Sequence, residues 1–98
     1  MALVRAVTGV VAGSRFFRFH RPLRVSERQQ DGVWVQECKP LNIAAYGPTR
    51  TAAWTAFVKQ FESTWDWIVV EKDSRLTEGA QALKRTYLDA VEAVEQIL

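Results

Sequence analysis

The sequence predicts an α+β domain, a three- or four-stranded antiparallel sheet packed against two helices. Three observations predict it. Runs of strand type occupy 15–27, 33–38 and 41–47, each closed by turn residues. Apolar side chains then switch to helical spacing from Trp54 onward, and a second helical pattern opens at Thr77.

The first strand, RFFRFHRPLRVSE, is aromatic and contains Pro22, which removes a backbone donor and marks an interrupted or edge strand rather than a helix. Asp31-Gly32 is a turn dipeptide, so VWVQEC (33–38) returns as the other arm of a hairpin whose loop falls within Gln29–Gly32. Lys39-Pro40 ends that run. LNIAAYG (41–47) follows as a third strand, closed by Gly47-Pro48, with Gly47 read as the residue that lets the backbone turn. Thr49 is a good N-cap, and Trp54, Phe57, Val58, Phe61, Trp65 and Ile68 fall on one face of the helix it opens, which should end near 69–71. Lys72-Asp73-Ser74-Arg75 is a polar connector. Thr77 caps a second helix read over 76–98, with Leu76, Ala80, Leu83, Tyr87, Val91, Val94 and Leu98 at near-helical spacing. Residues 1–12 alternate too poorly to choose between an extra strand and a mobile arm.

The 98 residues suffice for one domain, and four Trp, five Phe and two Tyr supply the bulk of its core. One Cys allows no intrachain disulfide, which fits a reducing, cytoplasmic setting. With a single His beside it, multi-ligand Cys/His zinc motifs are excluded, and no cofactor is implied. No apolar stretch reaches the roughly 18–20 residues of a membrane span. The net charge of +2 conceals an asymmetry. Residues 1–49 carry seven Lys/Arg against three Asp/Glu, and residues 50–98 six against eight, so +4 and −2 sum to the total.

Between Asp31 and Phe57 the chain resembles the HicB-like antitoxin family, in particular a long-helix subset without a DNA-binding domain. The family's strand pair, aromatic-Val-x-Glu-Cys-x-x-Leu-x-Ile, is matched by Trp34, Val35, Glu37, Cys38, Leu41 and Ile43, and its Gly-x-Thr helix entry by Gly47 and Thr49, followed by Ala53. The likeness spans residues 15–70 and extends to Leu76-Thr77 at the second helix. It implies a β-β-β-α core, self-association, and neutralisation of a small basic RNA-cleaving, HicA-like toxin by direct binding. Two departures stand out. Ala52 replaces the Glu that would complete a capping box, and the chain is basic where a toxin-neutralising member is acidic. Too little chain follows the first helix for a helix-turn-helix.

The expected function is therefore a non-enzymatic protein-interaction module that forms a homo-oligomer through a sheet edge or exposed aromatics. Trp54 and Trp65 are core by spacing, whereas Trp34 and Trp67 are candidates for a partner surface, with Arg18, Arg21 and Arg24 beside them. The alternative is a small nucleic-acid-binding module using Arg15, Arg18, Arg21, Arg24 and Arg28 interleaved with Phe16, Phe17 and Phe19. Strand alternation puts Arg15 and Arg21 on one face and Arg18 and Arg24 on the other, so one basic face does not form automatically. No catalytic residue and no metal ligand set is predicted. His20 and Cys38 are a nucleophile-base pair in composition only, with no orienting group, and Asp89, Glu92 and Glu95 read as a solvated helical stripe.

Overall fold

The computed structural model describes residues 3–97. The elements run β1 (Leu3–Ala12), β2 (Arg15–Gln30), β3 (Val33–Cys38), a 3-10 turn (Lys39–Leu41), β4 (Ile43–Gly47), α1 (Arg50–Thr64), a π-helical turn (Trp65–Val69), a 3-10 turn (Asp73–Arg75), α2 (Glu78–Ala90) and β5 (Val91–Gln96). The fold is α+β, with five antiparallel strands on one layer and both helices on the other.

The 16-residue β2 is the spine of the sheet. Along one side it pairs β1, from Leu3↔Glu27 to Ala12↔Arg15. On the other side its two ends take different partners. Ser26–Gln30 pair with β3, and Arg15–Phe19 pair with β5. Pro22 lies between these two rows, where no strand asks for its missing N–H, and also inside a bulge that sets Phe19–Pro22 of β2 against Thr8 of β1. The interruption read from Pro22 is thus real, within an interior strand. Asp31 and Gly32 both have positive φ, 53° and 79°, and Gln30 pairs Val33, which makes a two-residue hairpin loop of the primed type.

The N-terminal dozen resolves as a strand from Leu3 onward; Met1 and Ala2 lie outside the described residues. A second two-residue turn, Gly13-Ser14, joins it to β2, with Gly13 at φ 61°. Leu41 belongs to the 3-10 turn, so the third predicted strand shortens to Ile43–Gly47.

Both predicted caps form. Thr49 Oγ1 accepts from the Ala52 N–H at 3.0 Å, and Thr77 Oγ1 accepts from the Ala80 N–H at 3.1 Å. Gly47 is needed for a reason other than backbone freedom: a Cβ there would sit 2.5 Å from the Ala53 nitrogen, so β4 touches the first turn of α1 with no space for a side chain. The apolar stripe of α1 faces the sheet. Phe57 and Phe61 are fully buried, and Phe61 meets Phe17 edge-on at 5.0 Å and Phe19 at 5.8 Å. Burying each such ring contributes about 1.5–3 kcal/mol. The π-turn carries an extra residue per turn, so Val69 enters the core, Ile68 stays half-buried, and Trp67 is left 77% exposed.

The second helix is shorter than predicted. It stops at Ala90, and Val91–Gln96 form β5. The predicted stripe of Asp89, Glu92 and Glu95 is therefore dispersed: Asp89 remains in the last turn of α2, while Glu95 reaches Arg18 at 2.7 Å and Glu92 lies 3.9 Å from His20 Nδ1. Carboxylates at a helix C-terminus oppose the dipole, and the vacant edge of β2 offers both strand pairing and cations. Tyr87 is the one fully buried side chain of α2, and its hydroxyl donates to the Leu41 carbonyl at 2.9 Å, tying α2 to the turn before β4. Among the described residues no helix is long and apolar enough to cross a membrane.

Candidate functional site

Two surfaces stand out once the core is accounted for. The first is β1 and the sheet face that carries no helix. As the first strand in the order, β1 pairs only with β2 among the described residues, which leaves its outer edge free of them along ten residues. It is apolar, with Leu3, Val4 and Val11 more than half exposed, and Arg5 is its one charge. On the other side of β2 the sheet ends in two short strands, β5 and β4, and β4 is partly covered, because Gln60 Nε2 on α1 donates to the Ala44 carbonyl at 2.8 Å. A Pro-free edge of this length with so little charge is a pairing template.

The second surface is a cleft of about 360 Å³ on the helix side, where β1, β2 and β3 meet the first turn of α1. Glu27 and Gln36, the two buried polar residues of the described chain, form its floor at 1% exposure each. Arg50, at the start of α1, clamps Glu27 with Nε at 2.8 Å and Nη2 at 2.9 Å. These bonds hold the Glu27 carboxyl below its ordinary range against the opposing effect of burial, and Arg5 adds to the lowering. Gln36 Nε2 donates to Glu27 at 3.2 Å and to the Arg50 carbonyl at 3.3 Å. Both neighbours are acceptors, so the amide orientation is fixed and Gln36 Oε1 must point elsewhere. Among the described residues it has no partner, and neither does the buried Nε of Arg5. The Arg5 guanidinium lies 4.7 Å over the Trp54 ring, and that of Arg50 lies 5.4 Å over Trp34. Trp54 also walls a neighbouring groove of about 310 Å³ between β1 and α1, lined by Val11, Val58 and Lys59.

The predicted site residues distribute over both faces. Trp34 is half-buried beneath Arg50, and Trp67 stands exposed on the π-turn, so the two are not one patch. Arg15 points to the helix layer, bonded to Glu62 and Asp66 at 3.1 Å. Arg18, Arg24 and Arg28 share the open face with Phe16 and Tyr46, as their alternation along β2 and the β3–β4 register require. Two of the three are engaged, Arg18 with Glu95 and Arg28 with Glu37 at 3.3 Å. Arg21 is exposed at the bulge, beside an apolar cleft of about 250 Å³ between β2 and the end of α2. His20 and Cys38 are not brought together by any hydrogen bond among the described residues. His20 is exposed, whereas Cys38 is buried at 2% and burial raises its pKa, which keeps it a thiol.

Arg5, Glu27, Gln36 and Arg50 had no place among the predicted site residues. A signal was present: strand alternation puts Glu27 in line with the buried Val25, and Gln36 in line with the buried Cys38, so each is a polar side chain at an inward position. Comparison with protein-family models, with curated proteins and with solved structures finds no match for this chain.

Proposed function

We propose that the protein is a non-catalytic protein-interaction module that self-associates by adding β1 of one copy to β1 of another. The observation that carries this reading is the free, apolar outer edge of β1, ten residues long with a single charge. Two such edges related by a two-fold axis pair antiparallel and continue the sheet across both copies. The HicB-like resemblance adds a second partner class, a small basic RNA-cleaving toxin bound by the resulting dimer.

Size-exclusion chromatography with light scattering tests the proposal. A species of twice the 11.2 kDa chain mass is expected. The double variant Val4→Lys/Val11→Lys, which puts charge along the edge, should return it to the single-chain mass while keeping its circular dichroism. Only single-chain mass for the parent across the accessible concentration range would overturn the reading.

Nucleic-acid binding is the second reading, favoured by Arg18, Arg24 and Arg28 sharing one face with Phe16 and Tyr46. The ion pairs to Glu95 and Glu37 leave it less free charge than the arginine count suggests. Salt-sensitive retardation of RNA or DNA, lost in Arg18→Gln/Arg24→Gln, would favour it; no retardation at low salt removes it.

A further inference from the structure

The two ends of β1 complement each other in shape. At its start Leu3 is 55% exposed, and it lies on the helix side of the sheet because it faces the inward Glu27 across the ladder. At its end the buried Ala12 lies on the same side, since it faces Arg15, whose guanidinium is bonded to Glu62 and Asp66 of the helix layer. Beside Ala12 opens the groove of about 310 Å³ between β1 and α1, walled by Trp54 and Val58. Leu3 cannot fill the groove of its own chain, because the ends of a ten-residue strand lie about 30 Å apart.

The bulge at Thr8 decides which registers a second β1 can take. It resets the alternation, so Leu3, Arg5 and Val7 share the helix side with Val10 and Ala12, while Val4 and Ala6 share the open side with Gly9 and Val11. Residues directly opposite in an antiparallel pair point to the same face. Setting Leu3 against Ala12 of the second copy satisfies this at Leu3–Ala12, Val4–Val11, Arg5–Val10 and Ala6–Gly9, and the two bulges meet on the two-fold axis. Sliding by one residue sets unlike faces opposite each other toward both ends, and sliding by two leaves either Leu3 or Val11 with no described β1 residue opposite it. Only the full-length register covers Leu3, Val4 and Val11, the exposed large apolar side chains of the strand. It also keeps the Arg5 side chains apart: each faces Val10, about 16 Å along the strand from its counterpart, and each guanidinium is already drawn back over Trp54. We propose that a second copy of this chain pairs with β1 in this register and seats its Leu3 in the β1–α1 groove beside Ala12, twice by symmetry. The proposal rests on the edge pairing of β1 and adds to it a register and a side-chain contact. A backbone ladder is a narrow strip, whereas a stable interface buries roughly 1,200–2,000 Å², so the two leucine contacts supply apolar area beyond the ladder.

The test uses full chains carrying Val4→Cys or Val11→Cys, each alone and mixed in equal amounts, oxidised and resolved on non-reducing gels; the native Cys38 is buried at 2% and stays out of reach. The mixture should form a disulfide-linked dimer at least about tenfold faster than either variant alone, because position 4 faces position 11 within disulfide range, whereas two copies of one position lie about 23 Å apart. Leu3→Ala should weaken dimerisation at least about tenfold in sedimentation equilibrium while keeping the parent's circular dichroism, since the interface loses the side chain twice. Cross-linking of either variant alone as fast as the mixture overturns the register, and an unchanged association constant for Leu3→Ala overturns the groove contact. If both fail while Val4→Lys/Val11→Lys still dissociates the dimer, edge pairing stands and this inference falls. If the parent has single-chain mass throughout, or Val4→Lys/Val11→Lys remains a dimer, edge pairing itself fails and takes the register with it.

Discussion

Removing one oxygen atom from the core offers a test of how α2 is fastened. Tyr87 is fully buried, and its hydroxyl donates at 2.9 Å to the Leu41 carbonyl on the other side of the core. Tyr87→Phe deletes the donor and leaves that carbonyl without it, which should cost about 1–2 kcal/mol at pH 7. The ionisation of the same hydroxyl provides a second, independent reading. Burial pushes its pKa from 10.0 up to about 12, the hydrogen bond to Thr64 opposing and Cys38 adding to the rise. A raised acid stabilises the fold below its unfolded value and ceases to do so as pH climbs through the folded one. At about 1.36 kcal/mol per unit, the contribution lost between pH 10 and pH 12 totals roughly 3 kcal/mol, about half of it by pH 11. The advantage of the parent over Tyr87→Phe should therefore shrink by about 1–1.5 kcal/mol between pH 8 and pH 11. Paired urea titrations at each pH measure this, and contributions from other groups cancel in the difference. A constant gap across that range, or a variant within about 0.5 kcal/mol of the parent at pH 7, would refute the argument.

Two further outcomes can be checked alongside. Gly47→Ala should lower stability by about 1–3 kcal/mol in thermal or urea melts, because its methyl meets the Ala53 nitrogen of α1; an unchanged melt would mean β4 and α1 separate freely. Glu27→Gln preserves the shape of the cleft floor and removes its charge, so its urea midpoint should fall below the parent's at pH 7. That gap should close as pH drops below 4.5, since a depressed carboxyl stabilises above its unfolded value and loses the effect as pH falls through the lower folded one; a gap independent of pH would rule out the ion pair as its cause.

Local signals carried most of the fold. The Thr49 and Thr77 caps, the Asp31-Gly32 hairpin and the Trp54-to-Phe61 stripe each depend on a few neighbouring residues, and each is present as read. Gly13-Ser14 belongs to the same class, a two-residue turn between apolar runs, and it was the available sign that 1–12 ends in a hairpin strand. The C-terminal segment was legible in neither direction, because Tyr87, Val91 and Val94 satisfy a helical period while Val91, Ala93 and Glu95 also alternate. The choice is made by Arg15–Phe19, a vacant strand edge that lies almost a full chain length away in sequence. The cleft was hidden for the same reason. Arg5, Glu27, Gln36 and Arg50 come from three strands and a helix, and only their packing shows that an inward Glu has found its arginine.

The divided partnership of β2 has a consequence for how the molecule is made. Its C-terminal half is completed by β3, a neighbour in sequence that can pair as soon as the hairpin leaves the ribosome. Its N-terminal half, bearing Phe17 and Phe19, must wait for β5, the last of the described elements to be synthesised. Through that interval one row of N–H and C=O groups beside two large aromatics stays open to any passing strand. Closing so long a loop is also the slowest kind of contact to form. Nascent chains stalled or truncated near Ala90 are thus the form of this protein most prone to aggregate, and the six residues of β5 serve as its closing seam.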